Sequence, residues 1–159
     1  MRIGSSLGTT LGVFLCAMAP AFAAPLVTET ITYYQVDGST IMDIRNAMTA
    51  KGPQSYWGYT QWYVAWSADC EVTVKITYTY PDWSGYDDAD EDLREYWDKF
   101  ISNLEIHEHG HGEHGRRAGA GIEATDCAED PYGIIEKWGK QDVIYDDETN
   151  HGETQGAVF

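Results

Sequence analysis

The chain of 159 residues is poor in basic residues and in cysteine, and it lacks any apolar run of membrane-spanning length. Lys and Arg number 10 against 26 Asp and Glu, a formal net charge of −16 with neutral His. Such a charge repels nucleic-acid phosphates and anionic lipid, so nucleic-acid binding is excluded and neutral or cationic substrates are favoured. Only three cysteines are present, none in a C-x-x-C pair, which argues against a cysteine-type zinc site. The apolar run at residues 11–19 (LGVFLCAMA) is too short to span a bilayer as a helix. No internal repeat or low-complexity linker divides the chain. Its length suits one domain with a real core and not two.

What is present begins with an export signal. Arg2 supplies a positive start, the apolar run follows, and Ala21-Phe22-Ala23 is an A-x-A cleavage site. Residues 1–23 are therefore expected to be a signal peptide, and the mature chain to start at Ala24. Phe14-Leu15 before Cys16 lack the small side chains of a lipid-attachment site, so no membrane anchor is expected after cleavage. The destination is secreted or periplasmic. Cys70 and Cys127 then read as one disulfide, with two buried thiols as the alternative. Residues 24–145 are expected to form the domain, and residues 146–159 a polar, loose tail. Nothing in the sequence indicates an oligomeric state.

Residues 28–36 (TETITYYQV) are β-branched and aromatic and predict a strand. Ser39 or Thr40 caps a short helix with Ile41, Ile44 and Met48 on one face, ended by Lys51-Gly52-Pro53. Residues 60–66 (TQWYVAW) and 70–80 (CEVTVKITYTY) alternate and predict two half-buried antiparallel strands, the second stopped by Pro81. The acidic stretch 82–92 (DWSGYDDADED) lacks the glycine and closing glutamate of a calcium loop; Asp90, Glu91 and Asp92 suit the start of a helix. Leu93, Trp97, Phe100 and Leu104 then form a helical apolar stripe. Five glycines between Gly110 and Gly121 predict fraying, a bend or an end. A short helix follows at residues 132–138. The fold class is α+β: a small antiparallel sheet against one long helix, zincin-like, with one short helix before it and one after.

The stripe continues in different chemistry. His107, His111 and His114 extend the line of Leu93, Trp97, Phe100 and Leu104, and residues 107–111 (HEHGH) satisfy H-E-x-x-H. Imidazoles four residues apart on a helix project from one face, so His107 and His111 can share a Zn²⁺ ion. Glu108 reaches a zinc-activated water without binding the ion, and acts as general base. Solvated surface histidines, or core histidines held by hydrogen bonds, are the structural alternatives. The third ligand is open. His114 needs a bend after His111, which Gly112 and Gly115 permit; Glu123, Asp126, Glu129 and His151 are the other candidates. His109 points away from the shared face. Tyr59, Tyr63, Trp62 and Trp66 are candidate cleft walls, although aromatic residues on alternating strands are more often core.

Several blocks in order resemble one family: YYQVDGSTIMDIRNAM at 33–48, KGP at 51–53, TQWYVAW at 60–66, the strand led by Cys70, and HEHGH. They resemble the bacterial secreted proteins grouped as domain-of-unknown-function family 922, described as zinc-dependent proteases. The resemblance covers roughly residues 31–127. It implies a small domain with a metal-site helix against a sheet, zinc at His107 and His111, and Glu108 as base. It supplies no third ligand. Three functions follow: a secreted or periplasmic zinc metallopeptidase acting on peptide or protein substrates, a non-catalytic zinc-binding protein, and an aromatic-rich envelope-binding module. Glu108 separates the first two, and an exposed aromatic strip would mark the third.

Overall fold

The computed structural model describes residues 24–159; the expected signal peptide, residues 1–23, lies outside them. In chain order the elements are β1 (Leu26–Val36), α1 (Ile41–Lys51), β2 (Tyr59–Trp66), β3 (Val72–Trp83), α2 (Glu91–Ala124) and α3 (Pro131–Thr149). The fold is α+β, as its alternating and helical patterns predict. β3 is the central strand, with sheet order β1-β3-β2. β2 and β3 pair antiparallel, with Trp66 opposite Val72 and Tyr59 opposite Thr79. β1 joins β3 in parallel, with Leu26 opposite Thr73 and Val36 opposite Trp83, so the sheet is mixed and not wholly antiparallel. The connection through α1 permits this, because parallel neighbours need a crossover and not a hairpin.

Pro81 does not stop β3, which runs to Trp83. β2 reaches only as far as Thr79, so Pro81 has a sheet neighbour on one side alone, where a missing N–H is tolerated. Val72, Val74, Ile76, Tyr78 and Tyr80 are buried on one face of β3, as the alternation predicts. Against them pack Trp97, Phe100 and Leu104 of α2, with Ile44 and Met48 of α1. Phe100 and Ile44 have no exposed surface; each such side chain contributes about 1.5–3 kcal/mol by leaving water.

α2 starts where the acids predict. The Asp90 carboxylate accepts the Leu93 N–H at 2.8 Å, and Glu91 and Asp92 occupy the first turn. The helix does not end or fray at its glycines; it continues to Ala124. Gly112 and Gly119 are contact points with the sheet. A Cβ at Gly112 would lie 2.1 Å from the Tyr78 hydroxyl, and one at Gly119 would lie 2.4 Å from Val74 Cγ2. The propensity cost of about 1 kcal/mol per glycine is offset by the close approach it permits.

α3 is much longer than expected: Asp130 caps it by accepting the Tyr132 N–H at 3.2 Å, Pro131 stands at its first position, and the chain stays helical to Thr149, with Asn150 in the left-handed region. The segment expected to be a loose tail is tied down. Asp146 lies in α3, and Phe159 is 1 % exposed, against Phe100 at 5.1 Å and Trp97 at 5.3 Å. Its polar composition hid one aromatic anchor.

Cys70 and Cys127 form a disulfide that joins the β2–β3 turn to the α2–α3 connection, 57 residues apart. It fits an oxidising, non-cytoplasmic compartment. No described helix is long and apolar enough to cross a membrane. Cys127→Ser is expected to lower the unfolding free energy by roughly 4 kcal/mol, the chain-entropy value for a loop of this size. Denaturant titration measures this; unchanged stability would show that the cross-link restrains nothing.

Candidate metal centre

His107, Glu108 and His111 lie on the buried stripe of α2, at 4 %, 4 % and 9 % exposure. Their spacing brings His107 Nε2 and His111 Nε2 to 3.3 Å. α3 folds back antiparallel along α2: Ile134 meets Gly121, Trp138 stacks on His114, and Thr149 reaches His107. This delivers Asp146 to the pair. Its Oδ1 lies 3.2 Å from His107 Nε2 and 3.0 Å from His111 Nε2. Four-coordinate zinc with ligands at about 2.0–2.1 Å has ligand–ligand edges of about 3.3 Å. The three donor atoms therefore fit one ion, and His107, His111 and Asp146 form a group that could hold a metal.

The outer nitrogens settle what the inner ones present. His107 Nδ1 faces the side-chain carbonyl oxygen of Gln155 at 2.9 Å and donates to it. His111 Nδ1 donates to Asp142 Oδ1 at 3.0 Å. With Nδ1 protonated, each neutral ring turns an Nε2 lone pair towards the Asp146 carboxylate. Three acceptors converging in a buried site are mutually repulsive unless a cation sits among them. Desolvation depresses the His107 pKa. Desolvation also opposes charge on His111, but the Asp142 hydrogen bond and the charges of Glu108, Asp146 and Asp142 outweigh it and raise its pKa. At His111 the neighbouring carboxylates favour positive charge; at His107 burial opposes it.

Asp142 lies one turn before Asp146 on α3 and serves a different purpose. Its Oδ1 also accepts from His114 Nδ1 at 2.7 Å, and its Oδ2 accepts from Trp62 Nε1 at 2.8 Å. Burial opposes its ionisation, but these hydrogen bonds prevail and hold its pKa below the ordinary carboxylate range. It fixes the ring orientation of His111, as carboxylates behind metal-binding histidines commonly do. The expected third ligand, His114, is thus placed elsewhere. α2 runs unbroken past His111 to Ala124, and His114 joins not the His107–His111 pair with Asp146 but His111 and Asp142, in a second group that could hold a metal. That second group is tied by hydrogen bonds of 2.7 and 3.0 Å to Asp142, and Asp142 is further engaged by Trp62.

A cleft of about 650 Å³ opens beside the triangle. Gly58, Tyr59 and Thr60, where β2 begins, form one wall. Glu108 lies against them: its Oε2 accepts from Thr60 Oγ1 at 2.7 Å, and a Cβ at Gly58 would fall 2.5 Å from its Oε1. Only a glycine leaves room for that carboxylate. Burial pushes the Glu108 carboxyl up to about 7, against the opposing Thr60 hydrogen bond.

Of the aromatic residues expected on the wall, Tyr59 lines the cleft; Trp62 stands behind it on Asp142, Tyr63 is 64 % exposed, and Trp66 packs on Tyr132. His151 borders the cleft, but its Nδ1 is 3.7 Å from Asp146 Oδ1 and outside the donor triangle. Glu123, Asp126 and Glu129 belong to neither donor group among the described residues. His109 stays on the exposed side and stacks on Tyr78 at 4.5 Å. Asp146 was missed because it stands at the start of the supposed tail. The signal available was the pair Asp142 and Asp146, four residues apart, which on a helix present two carboxylates to one neighbour.

A family model described as a bacterial protein of unknown function, DUF922, matches residues 31–152, which include the triangle, Glu108 and Asp142. No curated protein and no solved structure matches.

Proposed function

The chain belongs to the DUF922 family, and we propose that it is a zinc-dependent peptidase working outside the cytoplasm, with His107, His111 and Asp146 as ligands and Glu108 as general base. The observation that carries this reading is the convergence of two Nε2 lone pairs and a carboxylate oxygen, 3.0–3.3 Å apart, at the floor of a cleft that also holds Glu108. Export is supported by the disulfide and by the sequence of residues 1–23.

When bound, zinc supplies Lewis acidity that makes water nucleophilic near neutral pH and polarises a carbonyl. The chain's own residues do the rest. Gln155 and Asp142 hold the two imidazoles with Nδ1 protonated, so that Nε2 is the donor atom. Thr60 occupies Oε2 of Glu108, which leaves Oε1 to take a proton from the attacking water and return it to the leaving amine. A carboxyl held near 7 by burial is suited to both transfers, and a cation beside it shifts the balance towards the base.

A zinc store needs histidines but no buried carboxylate on a cleft wall, and His109 and His114 stand outside the triangle. An aromatic binding module needs an exposed strip, whereas Tyr78, Tyr80, Trp83 and Trp97 are core. The test is metal analysis of protein refolded in zinc, joined to a peptide-cleavage assay. One zinc per chain and cleavage abolished by a chelator are expected. Absence of stoichiometric zinc would sink the reading, and bound zinc with no cleavage of any peptide would reduce it to metal binding.

A further inference from the structure

Resting on the peptidase reading above, we propose that Arg45 and Trp57 form a subsite at the cleft margin for a substrate carboxylate carried beside an apolar residue. Arg45 is the one lysine or arginine that lines the cleft among the described residues. It also borders a shallow depression with Ile41, Met42 and Asn46, which places it at the margin. In a chain with 26 Asp and Glu it makes no ion pair among the described residues. Asp43, two residues before it, accepts from Thr40 at 2.7 Å, and Glu153, which shares the cleft lining, accepts from Asn150.

The guanidinium sits over the Trp57 ring, 5.8 Å from its centroid. That ring is anchored. Its Nε1 donates to Thr49 Oγ1 at 3.1 Å, its backbone carbonyl accepts from the Tyr34 hydroxyl at 2.8 Å, and it meets Phe100 edge-on at 5.7 Å. An arginine stacked on a fixed indole loses less freedom on binding than a free one, and its planar fork suits a carboxylate.

The charge layout gives direction. The cleft otherwise carries the carboxylates of Glu108, Asp142, Asp146 and Glu153. Apart from the metal triangle, Arg45 is the one arginine or lysine on the lining, among the described residues, that would attract an anionic group entering it. The same lining also includes apolar Leu104, Ala157 and Val158. Leu104 precedes His107 by three residues on α2, about 4.5 Å along the helix axis, so an apolar substrate residue seated on it would lie about one helical turn from the first histidine. A peptide's terminal carboxylate and an Asp or Glu side chain offer the same chemistry to Arg45.

The test uses zinc-loaded E108Q protein, which holds peptide without turning it over, and calorimetry. The probes are a short acetylated peptide ending in leucine with a free carboxylate, its amidated form, and an amidated form with glutamate after the leucine. The free acid is expected to bind about ten-fold more tightly than the amide, as a charge-assisted bidentate pair provides. Recovery by the glutamate peptide assigns the carboxylate to a side chain; no recovery assigns it to the terminus. The preference should collapse in R45Q and persist in K99Q, which loses the same charge on an exposed face away from the cleft. It should also persist without zinc, which separates Arg45 from binding by the ion. Equal affinities, no measurable binding, or a preference that survives R45Q overturns the proposal. The peptidase reading fails separately, if the wild-type zinc protein cleaves nothing.

Discussion

Asp146→Ala is expected to weaken zinc binding by about two orders of magnitude, since 10–16 kcal/mol shared among four ligands is about 3 kcal/mol each. His114→Ala is expected to weaken it far less, by at most about ten-fold, the lower end for a residue behind a ligand. Competition against a chromogenic chelator measures both. The pair of variants is decisive because the two residues make opposite claims. His114 belongs to the histidine cluster and sits on the ligand helix, yet its Nδ1 is committed to Asp142. Asp146 comes from another helix, and its Oδ1 is within 3.2 Å of both Nε2 atoms. A larger loss from His114→Ala than from Asp146→Ala would show that the triangle is not the metal site.

Glu108→Gln is expected to lower peptide cleavage by about 10²–10⁴-fold, the range for a positioned general base, with one zinc per chain retained. Glutamine fills the same space and still accepts from Thr60, so the fold is not at issue. The carboxylate is absent from the donor triangle, which is why metal and activity should separate. Unchanged cleavage in this variant would remove Glu108 from the mechanism even if the metal stays. Lost zinc would instead make it a ligand.

The helix that carries the site was legible in the sequence because its period is continuous. Trp97, Phe100, Leu104, His107, His111 and Ile122 are all buried on one face, so histidines in that register had to face inward. β2 and β3 were legible for the corresponding reason with period two. The parallel pairing of β1 was not, because residues 26–36 are exposed on most of both faces and show no clean alternation. Glycines misled in α2, where composition predicts weakness and the structure uses absent side chains as contact surface. The third donor was out of reach for another reason. Ligands one turn apart are a local pattern, whereas Asp146 lies 35 residues from His111 and is brought back only by the α2–α3 fold.

That distance has a kinetic side. A carboxylate on a free chain 35 residues away would visit the histidine pair rarely, and metal capture would depend on the visits. Here Cys127 lies in the turn between the two helices and is bonded to Cys70 in the β2–β3 turn, at one end of the sheet. The turn is therefore pinned to the sheet, and the packing of α3 along α2 holds Asp146 near His107 and His111 at an effective concentration set by the fold and not by diffusion of the chain. The cross-link, whose cysteines line no part of the cleft, thus acts on the hinge of the helix pair and not on the donor atoms.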